Sequence, residues 1–323
     1  MRTTRRSLML ATLATPAFAQ APWPDRPIRW IVNFPPGGAA DTLSRVLAPA
    51  VSARLGQPVV VENRPGAGGA LGADILAKAP GDRFLVMMSS AASHGIGPVL
   101  YRNPPYDALR DFSHIRLVGT FPSVLAVNLD FPARNLAEYL AIARQRPTSS
   151  GPVTYGSGGN GTLNHLIGQL LARAAGVELV HVPYRGSAPA LTDAIGGQIP
   201  SIMESLPIAL PHLRGGRLRA LATSEATRPA SLPDVPTFGE QGFPQITSSN
   251  WFGFSAPAGL PPEIIARWDA EIAAALADPG LIERFAAIGV RPGAEGPAGY
   301  TALIAAELGR WRAVIAAGNI TAD

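Results

Sequence analysis

The residues of this chain best placed to do chemistry concentrate in two glycine-rich turns. The first reads Asn33-Phe34-Pro35-Pro36-Gly37-Gly38-Ala39-Ala40-Asp41 and follows an apolar run from Ile28 to Val32. It opens a helical pattern in which Leu43, Leu47, Val51 and Leu55 share one face. The second is Gly156-Ser157-Gly158-Gly159-Asn160-Gly161, which follows a short strand from Val153 to Tyr155. Thr162 then caps a helix carrying Leu163, Leu166, Ile167, Leu170 and Leu171. A strand, a glycine turn and a helix start together offer unpaired backbone N–H groups and the positive end of a dipole to an anion. Pro35 and Pro36 stiffen the first turn, while Gly37 and Gly38 let a ligand approach the backbone. Two such turns about 120 residues apart predict two lobes facing one ligand.

Other chemistries lack a partner residue. The second turn satisfies G-x-G-x-x-G, but a dinucleotide site also needs an acid at the end of the next strand. That end carries Pro183-Tyr184-Arg185, and the nearby acid, Glu178, begins the strand instead. Neither turn holds the lysine of a phosphate-binding loop, and the chain has one lysine, Lys78. Ser157 is not a G-x-S-x-G nucleophile, because Tyr155 stands where the first glycine belongs. His94, His114, His165, His181 and His212 show no metal-ligand spacing. No cofactor and no metal are expected.

Binding candidates remain, each with two readings. Asp41 in a first helical turn either braces the turn or accepts from a ligand or water, and bracing is favoured. Ser89, Ser90, Ser93 and His94 leave a strand from Phe84 to Met88, as a third wall of a crevice or as a capped turn. His165 sits where a helix start lowers its basicity, so it either donates as a neutral ring or packs. Glu204 ends a strand from Ile199, where it either meets a ligand cation or water, or is a solvated loop acid. Arg185 either pairs with a distal carboxylate or lies on the surface.

The elements that must position these groups follow from composition and period. The first nineteen residues form a targeting segment: Arg2, Arg5 and Arg6, an apolar stretch from Leu8, and the small-x-small site Ala17-Phe18-Ala19. An ordinary secretory route is the expectation, with a twin-arginine route a weaker match. Cleavage removes three arginines and no acids, so the formal +4 falls close to neutrality. No basic run remains, which argues against nucleic acid. The chain has no cysteine, so burial must stabilise it, and 47% hydrophobic residues supply that burial. Strands and helices alternate throughout, with proline heading helices at Pro262, Pro279 and Pro297. The pattern predicts a doubly wound α/β design. Crossings near Phe121 and Ile246 predict one lobe of residues 20–120 with 246–323, and another of 121–245.

Several marks in order carry a family resemblance. They are Pro35-Pro36-Gly37-Gly38 with Asp41, Glu62-Asn63-Arg64-Pro65-Gly66-Ala67-Gly68-Gly69, and Tyr155-Gly156-Ser157 with Gly159-Asn160-Gly161-Thr162. His181-Val182-Pro183-Tyr184-Arg185-Gly186, Leu232-Pro233-Asp234-Val235-Pro236-Thr237 and Ala256-Pro257-Ala258-Gly259 complete the set. From Trp23 to about Ala317 the chain resembles the periplasmic solute receptors of tripartite tricarboxylate transporters, the Bug family. The resemblance implies an α/β, two-lobed periplasmic binding protein-like type II fold, each lobe a doubly wound sheet flanked by helices. It implies a monomer that catalyses nothing, captures a small organic carboxylate and delivers it to membrane transporter subunits. In the family, backbone groups of both glycine turns hold the ligand carboxylate, with ordered waters bridging to the first. The implied contact set joins Phe34, Pro36, Gly37, Gly38, Ser157, Gly158, Gly159, Asn160, Gly161, Thr162 and Tyr184 to the candidates above. Relatives commonly carry Asp-Asn where this chain has Glu204-Ser205, and Ala91 and Ala92 make the third wall plain, which fits a shorter or less polar ligand. A sensor for a signalling partner and a secreted hydrolase are the rival functions, the second disfavoured by the missing nucleophile–base pair.

Overall fold

Apolar runs form the strands, and runs with helical period cover both faces of the sheets they build. The computed structural model describes residues 23–145, 151–318 and 320. The targeting segment and Pro147, expected to help end a helix, lie outside the described residues. In chain order the strands are β1 Ile28–Val32, β2 Val59–Asn63, β3 Leu85–Ser90, β4 Phe112–Phe121, β5 Ser123–Asn128, β6 Val153–Ser157, β7 Leu179–Pro183, β8 Ser201–Ser205, β9 Leu218–Thr223, β10 Asn250–Pro257 and β11 Arg291–Pro292. The helices are α1 Ala39–Leu55, α2 Ala70–Ala77, α3 Gly97–Leu100, α4 Leu136–Gln145, α5 Leu163–Ala175, α6 Ser187–Ile195, α7 Leu206–Arg214, α8 Pro262–Leu276, α9 Pro279–Ala287 and α10 Pro297–Gly318.

Two sheets result, in the orders β11-β4-β10-β3-β1-β2 and β7-β6-β8-β5-β9. Both are mixed. In the first, β1 runs parallel to β2 and β3, while β10 is antiparallel to β3 and β4. In the second, β6 runs parallel to β7 and β8, while β5 is antiparallel to β8 and β9. The antiparallel pairs arise where the chain passes from one sheet to the other. Only Pro122 separates β4 from β5, and a residue without an N–H suits a break between two ladders. The return passes beside it: Ser123 N donates to Ser224 Oγ at 2.9 Å, and Ser224 Oγ donates to Ser248 O at 2.8 Å.

Strand alternation shows that the first sheet is covered twice. Ile28, Trp30 and Val32 bury on one face with residues of α1 and α8, where Phe254 lies 4.7 Å from Trp30 and 4.8 Å from Trp268 between ring centroids. Ile31 buries on the other face with Ala73 of α2 and Tyr300 of α10. In the second sheet Leu125 and Val127 face α4 and α5, while Val124 and Ala126 face α6 and α7. Burial on both faces explains why the strand sequences read as continuous apolar runs. Helix α10 begins among the first sheet's side chains and ends with Trp311 packed among those of the second.

Candidate functional site

The site is a cleft between the carboxyl ends of strands from both sheets, where β1, β3, β6, β7 and β8 each run into a helix start or turn. Gly38 stands before the first residue of α1, and Gly38, Ala39 and Ala40 line the inner cleft. Thr162, Leu163 and Asn164 line it from the start of α5, Gly186 and Ser187 from the start of α6, and Ser205 from the start of α7. Four helix N-termini therefore converge on one space. Among the described residues no lysine, arginine or histidine lines it, and the one ionisable lining group is Glu204. An anion there meets N–H groups and dipole ends.

Local bonding decides which N–H groups remain for a ligand. Gly37 N donates to Asp41 Oδ2 at 3.0 Å, and Gly38 N points to Pro35 O at 3.4 Å. The amides at the cleft in the first turn are those of Ala39 and Ala40, which as the first helical residues have no acceptor within the helix. Pro36 and Gly37 are exposed and line no part of the cleft. In the second turn Gly159 N donates to Ser157 Oγ at 3.2 Å and Gly161 N to His165 Nδ1 at 3.3 Å. Thr162 Oγ1 accepts from His165 N and donates to Gly159 O at 2.7 Å. Gly158 and the first residues of α5 are what the second turn presents to the inner cleft.

Asp41 is a brace. It is 4% exposed, and besides Gly37 its carboxylate accepts from Arg45 Nε and Asn63 Nδ2, both at 2.9 Å. Burial pulls its pKa upward, but Arg45, the Gly37 N–H and Asn63 outweigh burial and hold it below the ordinary range. Asn63 Nδ2 also donates to Phe34 O at 3.0 Å, which ties β2 to the first turn. Asp41→Ala should cost about 2–3 kcal/mol in urea unfolding, because it leaves buried N–H donors without an acceptor. Arg45→Ala should cost under about 1 kcal/mol, since Arg45 is half exposed and its ion pair is screened. Equal costs would mean that the ion pair, not the brace, holds the turn.

The remaining expected contacts separate into lining and supporting groups. Phe34 and Ser90 line the inner cleft, as does Ala92. Ser89 is fully buried behind them, its Oγ 2.7 Å from both Ser255 Oγ and Tyr300 Oη. Ser93 closes a capping box with Ser90. His94 is fully buried, its Nδ1 3.0 Å from Ser93 Oγ and its ring against Phe112 and His114. His165 stacks on His181 with centroids 4.3 Å apart, and burial lowers its pKa to about 4. Gly159, Asn160, Tyr184 and Arg185 line an outer cavity that shares Phe34, Pro35, Gly158 and Gly186 with the inner cleft.

Ser157 Oγ lies 2.7 Å from His181 Nε2, a serine–histidine pair that the spacing in sequence did not reveal. Burial and the neighbouring His165 lower the His181 pKa to about 3, and Ser157 has no exposed surface. This pair holds the base of the glycine turn. Asn164, Ser187, Ser205, Asn250 and Phe252 also line the cleft and were missed by sequence reasoning. The first two stand one or two places inside helix starts, a signal that was available. Asn250 and Phe252 come from β10, which only tertiary pairing brings to the cleft. Asn250 Nδ2 donates to Ser123 Oγ at 3.1 Å, and Ser123 Oγ to Asn164 Oδ1 at 2.6 Å, a polar floor that joins both sheets.

Comparison with known proteins agrees with this geometry. Residues 43–320 match the family described as Tripartite tricarboxylate transporter family receptor, TctC. Protein BugT of Bordetella pertussis is 39% identical over 306 residues, which cover 94% of this chain and 93% of that protein. The R. palustris protein Rpa4515, solved with adipate, superposes with a TM-score of 0.88 at 33% identity, covering 93% of this chain and 99% of its own. MatC from Rhodopseudomonas palustris, solved with bound malate, gives 0.84 at 29% identity over 91% of this chain and all of its own. The chain belongs to the receptor family of the tripartite tricarboxylate transporters.

Proposed function

We propose that the chain is an exported periplasmic receptor that captures a small organic carboxylate in the inner cleft and delivers it to the membrane subunits of a tripartite tricarboxylate-type transporter. The convergence of four helix N-termini on a cleft without a cationic side chain carries this reading. The adipate-bound and malate-bound relatives support it. Export would follow cleavage near Ala19, and the receptor would act as a monomer. Its lobes would be residues 20–120 with 246–323, and 121–245, hinged at the paired crossings beside Pro122 and Ser224. Ligand contacts would come from Phe34, Gly38, Ala39, Ala40, Ser90, Gly158, Thr162 and Glu204, with Tyr184 and Arg185 at the mouth.

No bond needs to be made or broken. His181, its pKa lowered to about 3, is too weak a base to activate a serine, and the buried Ser157 is not an accessible nucleophile. Several charge-assisted hydrogen bonds at about 1.5–3 kcal/mol each, less ordering costs, reach the ~8 kcal/mol of micromolar binding. The test is a thermal-shift screen of the mature protein against mono-, di- and tricarboxylates, followed by calorimetry. At least one acid should raise the melting temperature by several degrees, because a ligand that binds only the folded form stabilises it. A folded protein that responds to no carboxylate at millimolar concentration would end the proposal.

A further inference from the structure

Glu204 is an unusual wall for a site that takes anions. It is 1% exposed, and its Oε1 accepts from Ser205 N at 2.7 Å and from Asn164 Nδ2 at 3.2 Å. Its Oε2 is buried with no hydrogen-bond partner. A buried carboxylate oxygen without a donor is costly unless something else supplies one. The hydroxyls of Ser187 and Ser205 stand close to the carboxyl group, but no lining residue supplies a cation, so a charged donor for Oε2 would have to arrive with the ligand. The position of the acid fixes where on the ligand that donor sits. Asn164, whose side chain binds Glu204, is the second residue of α5 and lines the cleft beside the N–H groups that would hold a carboxylate. The donor must therefore lie only a few bonds from the ligand carboxylate.

Resting on the carboxylate reading above, we infer that Glu204 is a specificity-determining residue, and that the cleft takes an amino carboxylate whose ammonium group meets Glu204 Oε2, in preference to the plain acid of the same skeleton. The helix starts hold the carboxylate and Glu204 holds the ammonium, so the bound zwitterion matches the cleft charge for charge. A plain dicarboxylate would set its second anion against an acid, with no cationic side chain in the inner cleft to offset it.

Acidity gives an independent readout. Burial raises the Glu204 pKa to about 7, against the Ser205 N–H and the hydroxyl and amide donors of Ser187, Ser205 and Asn164. The elements around it contribute no charge: Val124 on β5 is its strand neighbour, Ser187 stands on α6, and Asn250 on β10 faces the same cleft. His165, next to Asn164 on α5, is neutral above about pH 4 and does not titrate in the same range. An ammonium ligand needs Glu204 ionised, so its affinity should rise as pH goes from 5.5 to 7.5 and then level off. A second ligand carboxylate needs Glu204 protonated, so affinity for a dicarboxylate should fall over the same range.

The experiment is calorimetry with matched pairs: aspartate against succinate, glutamate against glutarate, and alanine against propionate, on the wild type, Glu204→Gln and Glu204→Asp. The amino member of at least one pair should bind the wild type 10-fold or more tighter, with the rising pH profile. Glu204→Gln should remove that preference and the pH dependence, and Glu204→Asp should keep the preference. A plain acid that binds as tightly as its amino partner in every pair that binds, or a preference that survives Glu204→Gln, would overturn the inference while leaving the carboxylate receptor intact. Should Glu204→Gln not fold, the wild-type pH profile still decides, since a flat or falling profile for the amino ligand refutes it. A folded protein that binds neither member of any pair, nor any acid in the wider screen, would sink the underlying reading together with this one.

Discussion

Gly186→Ala should weaken ligand binding by about 10- to 100-fold while leaving the protein folded. Gly186 lines both cavities, and a Cβ built on it would lie 2.9 Å from Pro35 Cγ and 3.3 Å from Pro35 Cβ. Pro35 belongs to the first glycine turn and Gly186 to the second sheet's side of the cleft, so the contact exists only when the two sides meet. The proline ring is tied to its backbone and has little freedom to move aside. Overpacking of this kind costs about 1–3 kcal/mol, and 1.4 kcal/mol is tenfold in affinity. Gly186 also has φ +109°, so alanine is strained there in any state of the cleft. That strain lowers stability but cancels from binding. Gly37→Ala is the control: its φ is +79°, yet a Cβ there has nothing within 4 Å. It should lose stability and keep affinity. Calorimetry on both, with circular dichroism to confirm folding, decides the matter. Equal losses of affinity would show that backbone strain, and not the closing contact with Pro35, governs binding.

Between about pH 6.5 and pH 4 the protein should lose stability steeply. Burial pushes the His94 pKa well below its ordinary value, with His114 adding to the effect. Burial likewise lowers His114 to about 4, although its Nε2 points at Ala108 O from 2.8 Å. His165 is lowered to about 4, and His181, also against His165, to about 3. These rings are neutral in the folded state and titrate near pH 6.5 once the chain unfolds. The unfolded state therefore binds more protons throughout this window, and stability falls as pH falls. Each ring contributes at most about 1.4 kcal/mol per pH unit, less for His181, which is only partly buried. Glu204 acts in the opposite direction, because its raised pKa lets the folded state take up a proton below about 7. One group opposes four, so the net slope stays downward. Urea midpoints at pH 7.5, 6 and 5 measure it, and His114→Gln should flatten the curve. A midpoint constant from pH 7 to 4.5 would mean that these rings are solvated and protonated in the folded protein.

The sequence by itself determined the local devices. Strand, glycine turn and helix start are encoded by neighbours, so β1 into α1 and β6 into α5 were legible, as was the Thr162 cap. The passage from β4 to β5, expected near Phe121, was legible because Pro122 has no N–H and interrupts a ladder wherever it stands. The family marks were legible for the same reason: each is a short stretch whose turn chemistry fixes its residues. The bracing role of Asp41 also follows from its place in a first helical turn.

Tertiary structure decided what each polar group actually faces. Gly37 looked like an anion donor, yet its N–H turns inward because Asp41, four residues on, is pulled into place by Asn63 of β2. Ser89 and Ser93 read equally as a third wall or as a capped turn, and distant packing gives Ser89 to Tyr300 and Ser255 while Ser93 closes a capping box. His165 faces His181 because α5 folds back over the sheet and parallel pairing of β6 with β7 lays Tyr155 beside His181. Mixed sheet order was invisible as well, since a continuous apolar strand reads the same in either direction. The character of Glu204 was hidden longest. A carboxylate at a strand end is solvated or buried according to what packs over it, and here Asn164, Ser187 and Ser205, from three different elements, enclose it. Residue types can be read locally, but desolvation is a property of everything that surrounds a group, and that is settled only when distant segments meet.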